Sequence, residues 1–180
     1  ILTKNPPREG FKTEMTSGFG TFRTYLDRVN HGGRIGRFAY HMSGTYESSV
    51  GFRDNAKVNQ KDCNAKLQYD LTQGNTITVN SGFFRSLLGA AGTLSAPDTD
   101  DKQRTYKNFV DAWWDFRPDN MFGVKVKIYN MYDRLEFMEN SAGSAWDIAN
   151  TKNIHTTTVH GCDFQFDKQF VDFYRFLRGF

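Results

Sequence analysis

The sequence has little cysteine, no long apolar run and no strong excess of charge of either sign. Its two cysteines, Cys63 and Cys162, lie about 100 residues apart in no CxxC or metal-like spacing. Neither a disulfide framework nor a thiolate metal site can be read from them, and two unpaired thiols are expected. No run of about 18 apolar residues occurs, which excludes a membrane-spanning helix. Basic residues number 23 against 20 acidic, a formal charge of +3, and this bias is too weak for a nucleic-acid footprint. The opening Ile1-Leu2-Thr3-Lys4-Asn5-Pro6-Pro7-Arg8 has neither the n-region nor the h-region of a signal peptide. G-x-S-x-G, H-E-x-x-H and P-loop motifs are missing as well, so no catalytic machinery can be read and a non-enzyme is expected.

What is present is an odd pairing of properties. Only 38% of residues are hydrophobic and the mean hydropathy is −0.62, yet 16% are aromatic. Disordered chains are poor in aromatics. A soluble all-β domain or a membrane β-barrel survives, since a barrel's polar interior hides its lipid face from averaged hydropathy.

The local pattern is period two. Phe38, Tyr40, Met42 and Tyr46 alternate with Arg37, Ala39, His41, Ser43 and Thr45. Ala65, Leu67, Tyr69 and Leu71 alternate with Lys66, Gln68 and Asp70, and Val124, Val126 and Ile128 with Lys125 and Lys127. Tyr106, Val110, Ala112, Trp114 and Phe116 share one face; Cys162, Phe164 and Phe166 repeat the arrangement. One greasy face and one charged face therefore recur along the chain.

Turn residues mark the connections. His31-Gly32-Gly33, Gln73-Gly74-Asn75 and Pro118-Asp119-Asn120 read as tight turns. Polar stretches near 48–61, 88–104 and 140–153 read as long loops, in alternation with the turns. About eight strands are expected: 12–29, 34–48, 58–72, 75–87, 104–117, 120–139, 155–168 and one from about 171. Such lengths suit tilted strands, of which about 9–11 residues cross a bilayer core. The fold class expected is all-β: an antiparallel up-and-down transmembrane β-barrel segment with long extracellular loops and short periplasmic turns. Trp113, Trp114, Phe116, Tyr129, Tyr132 and Phe137 are candidates for interfacial aromatic girdles.

Several strings resemble one family. Ile1-Leu2-Thr3-Lys4-Asn5-Pro6 looks like the end of the plug domain of TonB-dependent outer-membrane receptors. Ser17-Gly18-Phe19-Gly20-Thr21-Phe22-Arg23 is similar to the family's first barrel strand. Tyr40-His41-Met42-Ser43-Gly44-Thr45-Tyr46, then Gly51-Phe52-Arg53-Asp54-Asn55, resembles a strand and loop that follow it. Asn64-Ala65-Lys66-Leu67-Gln68-Tyr69-Asp70-Leu71 resembles the next strand, and Gly89-Ala90-Ala91-Gly92-Thr93-Leu94-Ser95 a loop that usually carries proline where Ala91 stands. Order and spacing agree over about residues 1–100.

The resemblance implies a bacterial outer-membrane siderophore-, cobalamin- or haem-uptake receptor. Residues 1–8 would end the plug and 9–180 would form part of the barrel. Its partners would be the TonB–ExbB–ExbD system, acting through a plug, together with outer-membrane lipid and the chelate, with no nucleic acid. On this reading the chain covers about a third of a barrel, and alone it would form an open sheet with two unpaired edges.

Arg53, Asp54 and Asn55 are candidate ligand-capture residues in a loop. Arg37, His41, Lys66, Gln68, Asp70, Lys125 and Lys127 would face the lumen. Asp98, Asp100 and Asp101 offer hard oxygens that Ca²⁺ would accept, although a solvated acidic loop has the same composition; no other cofactor is expected. His155 and His160 are five apart in a strand, hence on opposite faces, which argues against joint ligation. Two other architectures stay open: a complete small eight-stranded outer-membrane barrel, and a soluble lipocalin-like binding protein.

Overall fold

The computed structural model describes residues 6–7, 9–94, 98–118, 122–139 and 151–168. Most of the plug-like opening, Asp119 and Asn120 of the third expected turn, positions 140–150 of the third long loop and the strand expected from 171 lie outside them.

Eight strands form one antiparallel sheet in chain order: β1 Gly10–Gly20, β2 Thr24–Ile35, β3 Phe38–Ser49, β4 Val58–Thr72, β5 Asn75–Gly89, β6 Lys102–Phe116, β7 Phe122–Glu139 and β8 Thr151–Lys168. Every strand pairs with its sequence neighbour. The sheet is open: among the described residues β1 and β8 each pair on one side only. No helix of the described chain is long and apolar enough to cross a membrane.

The register carries the two-faced pattern across all eight strands. One row of directly opposed residues runs Lys12, Gly32, His41, Lys66, Asn80, Asp111, Tyr129 and Gly161. The next row on the opposite face runs Phe11, Gly33, Tyr40, Leu67, Val79, Ala112, Ile128 and Cys162. Because the side-chain period is two, each hydrogen-bonded register preserves this division from strand to strand.

Solvent contact is distributed against the habit of a soluble protein. On the apolar face Phe11, Met15, Ile35, Ile128 and Phe164 are exposed, Phe164 by 69%. On the polar face Lys66, Thr78, Asn80 and Ser86 are buried, Thr78 to 2%. Side chains on that face also reach across an intervening strand. Arg34 Nη1 of β2 donates to Asp70 Oδ2 of β4 at 2.6 Å, above Ala39 of β3, which is fully buried. Lys66 of β4 lies over the Trp113 ring of β6 at 5.6 Å. One sheet buries Thr78, Asn80 and Ser86 with no second layer among the described residues to cover them, so it curls with its polar face inward.

The first expected strand is in fact two. Residues 12–29 contain a turn at 21–23, and His31-Gly32-Gly33 lies inside β2, with the next turn at Gly36-Arg37. Thr21-Phe22-Arg23 carries no glycine, asparagine or proline, and Phe22 and Arg23 adopt positive φ of 57° and 53°. That conformation disfavours bulky residues. Neighbouring structure holds it: the Val50 amide donates to Phe22 O at 3.0 Å, Ser49 Oγ donates to the same oxygen at 3.3 Å, and the Phe22 ring meets Phe52 edge-on. Gly33 stays in the strand because Phe11 and Tyr40 cover it; a Cβ there would come within 2.3 Å of the Phe11 ring.

The strict alternation of short and long connections therefore breaks at the first hairpin. The turns at 36–37 and 73–74 share one end of the sheet. The opposite end holds the 21–23 turn, loop 50–57 and the described parts of loop 90–101.

Candidate functional site

The inward face is where most of the polar side chains converge. His41, Lys66, Gln68, Asp70, Lys125 and Lys127 all sit in its rows. Arg37 lies in the β2–β3 turn, where its Nη1 donates to Leu71 O at 3.0 Å. Asp70 is a hub: besides Arg34 it accepts from Gln68 Nε2 and Thr76 Oγ1, both at 3.0 Å. Asn80 Nδ2 donates to Asp111 Oδ2 at 3.0 Å. Lys66 and Lys125 flank Trp113, and a concavity of about 550 Å³ opens between Lys66, Thr76, Thr78, Trp113, Asp115 and Arg117. Asn80 Oδ1 and Ser86 Oγ are buried without a protein partner, which is costly unless something else meets them.

Pro7 lies over the inward face. Its Cδ is 3.1 Å from the place a Cβ on Gly32 would occupy, beside the His41 ring, and Gly32 and His41 both belong to that face.

Loops 50–57 and 90–101 are tied to each other. Asn55, at φ 53°, donates its amide to Asp101 O at 2.8 Å and to Ala90 O and Asp98 Oδ1 at 3.3 Å. Arg53 Nη2 donates to Gly92 O at 2.8 Å and stands over the Phe52 ring. Asp98 Oδ1 accepts the Asp101 and Asp100 amides at 2.7 and 3.0 Å. Burial pushes the Asp98 carboxyl up, but these amide donors and Asn55 outweigh it and hold it below the ordinary carboxylate range. Asp98, Asp100 and Asp101 do bring ligand atoms within 4.8 Å of one another. The amides already use Asp98, so the cluster reads first as the knot of a loop. Arg53 and Asn55 serve loop–loop contacts here, and Asp54 belongs to the same 50–57 loop.

The outward face reads as bands. Near the turns lie Phe38, Tyr69, Ile77, Trp114, Phe116, Val124 and Phe166; past Val110 and Phe83 come Tyr46, Tyr106 and Tyr132. In the row of Tyr46 and Tyr106 the face turns basic: Lys61 stands over Tyr46 at 5.4 Å and Arg85 over Tyr106 at 5.2 Å. The girdle candidates divide between the two faces. Trp114, Phe116 and Tyr132 are outward, whereas Trp113, Tyr129 and Phe137 sit in inward rows, because neighbouring residues in a strand point opposite ways. His155 is inward and His160 outward. Cys63 and Cys162 are free thiols on the outward face, four strands apart.

Sequence reading left out Arg34, Thr78, Asn80 and Ser86 on the inward face and the basic band on the outward one. Parity within each strand was a sufficient signal for their faces, but burial and cross-strand partners were not written in it. No protein-family model, curated protein or solved structure matches this chain.

Proposed function

We propose that the chain is wall of an outer-membrane β-barrel of the TonB-dependent receptor kind, serving uptake of a large, scarce nutrient chelate such as a siderophore, cobalamin or haem. The observation that carries the reading is the inverted polarity of the sheet, with exposed Phe11, Met15, Ile128 and Phe164 on one face and buried Lys66, Asn80 and Ser86 on the other. In water this wastes apolar burial; in lipid it is the stable arrangement. On β7 the outward positions from Val124 to Tyr132, apolar or aromatic except Asn130, span nine residues, the length a tilted strand needs for the bilayer core. The resemblance of residues 1–100 to the receptor family supplies the transport role. Pro7 over the inward face suits a plug that enters the lumen there, and through such a plug the TonB–ExbB–ExbD system would act. The paired loops 50–57 and 90–101 would then be the extracellular capture side, with calcium at the Asp98 cluster an option for ordering them.

The two other architectures fit less well. A lipocalin-like protein turns its apolar residues inward, and here they face out. A closed eight-stranded barrel pairs its first and last strands, and the described β1 and β8 do not pair.

The test uses tryptophan quenching by bromine-labelled lipid chains. In a W113F/W146F chain reconstituted into vesicles, the remaining Trp114 is expected to be strongly quenched. In W114F/W146F, the inward Trp113 is expected to be quenched little. Equal quenching, or a chain that stays monodisperse without detergent and does not float with vesicles, overturns the membrane reading.

A further inference from the structure

The convex face is electrically lopsided. At its loop end the outward rows carry Lys61, Arg85, Lys102, Arg104, Arg134 and Lys152 against the carboxylates Asp27 and Glu136. At its turn end the outward strand positions of the described residues carry a single charge, Lys168. Six cations against two carboxylates leave this end of the face at +4, more than the +3 excess of the whole molecule.

The cations also sit in a definite layer. Lys61, Arg85 and Arg134 lie in one row with Tyr46 and Tyr106, directly beyond the apolar band that ends at Phe83 and Tyr132. Lys61, Arg85, Lys102 and Lys152 are exposed. Glu136, buried to 4%, binds Arg134 at 2.5 Å and Lys152 at 3.4 Å, and so holds two of the cations in place while leaving the band with a net positive charge.

We infer that this band docks phosphate-bearing lipid headgroups of the leaflet on the loop side. The inference rests on the membrane reading above and adds a lipid partner and an orientation to it. Cations within a Debye length of an anionic membrane surface attract it strongly, and Tyr beside Lys or Arg suits the headgroup level, where one side is greasy and the other wet. Arg also offers a planar fork matched to phosphate oxygens. The turn end, with aromatics and one lysine, has no comparable hold.

Spin-labelled lipids at the protein boundary test this with the full chain. Reconstituted in phosphatidylcholine, the protein is expected to prefer labelled phosphatidate over labelled phosphatidylcholine, with the preference shrinking as salt rises. In a Lys61→Gln/Arg85→Gln/Arg104→Gln chain the preference is expected to be lost, and Lys61→Arg/Arg85→Lys/Arg104→Lys is expected to restore it. Lys125→Gln/Lys127→Gln, on the inward face, is expected to leave it unchanged. Free inorganic phosphate is expected not to compete. An unaltered preference in the triple glutamine chain, or full displacement by free phosphate or by a soluble polyanion, overturns the headgroup site. A motionally restricted lipid signal without headgroup preference also overturns it while leaving the membrane reading intact; no restricted signal from any lipid sinks both.

Discussion

The two faces of this sheet are made by the same strands from alternate residues, yet they solve opposite problems. The inward face gathers Arg34, Asp70, Gln68 and Thr76 into one hydrogen-bonded group and pairs Asn80 with Asp111. The outward face has ring contacts such as Tyr25–Tyr46 and Trp114–Phe116 and leaves large apolar side chains open. The difference teaches that burial here follows curvature, not hydrophobicity. On the membrane reading proposed above, lipid covers the other side, where apolar area left in water would forfeit about 25 cal/mol per Å².

The sharpest way to break that comparison is to put the same charge on each face in a bilayer. Ile128→Lys, in the middle of the outward band, is expected to destabilise the reconstituted sheet by about 2–4 kcal/mol. Met131→Lys on the inward face of the same strand is expected to change stability by less than about 1 kcal/mol. Urea unfolding followed by tryptophan emission measures both; equal effects would mean that the faces share one environment.

Next in size is the turn end. Gly74 has φ +74°, and a Cβ there would lie 1.9 Å from Arg117 O, whose amide donates to Gly74 O. Gly74→Ala is expected to cost about 1–3 kcal/mol, read from the same unfolding curves, whereas Gly36→Ala, with nothing within 4 Å of its Cβ, should cost only the price of its positive φ.

Asn55→Ala probes the loop end. It removes three donations and is expected to speed proteolytic cutting in 50–57 and 90–101, with about 1–2 kcal/mol of local stability lost. The strands themselves should keep their amide protection, which hydrogen exchange measures.

The smallest effect is that of pH on the same knot. Asp98 has a lowered pKa in the fold, so its contribution is present above the unfolded value of about 3.9 and is lost as pH falls through the folded value. Hydrogen exchange at the Asp100 and Asp101 amides is expected to stay slow down to pH 4 and to quicken below it. In Asp98→Asn that acid step should vanish.

Much of the fold was legible. Val124, Val126 and Ile128 against Lys125 and Lys127 dictated a strand and its two faces, and Gln73-Gly74 announced its turn. The first hairpin was not legible, since Phe22 and Arg23 turn the chain only because Val50, Ser49 and Phe52 hold them from across the loops. Nor was the assignment of His31-Gly32-Gly33 to a strand, where Phe11 and Tyr40 stand in for the missing side chains. The inward positions of His41, Lys66 and Gln68 follow from parity, but their partners do not. Arg53 and Asn55 read as ligand-capture residues of a loop, and long-range contacts with Gly92, Ala90 and Asp101 make them a tie between two loops.

By itself the sequence determined that this chain makes strands with one apolar and one polar face, because a period of two is a local property of extended backbone. Only the tertiary structure decided which face curls inward, which loops lock together and where the outward cations line up. Those depend on pairing register and curvature, which bring together residues far apart in sequence, such as Arg34 with Asp70 and Lys61 with Arg85.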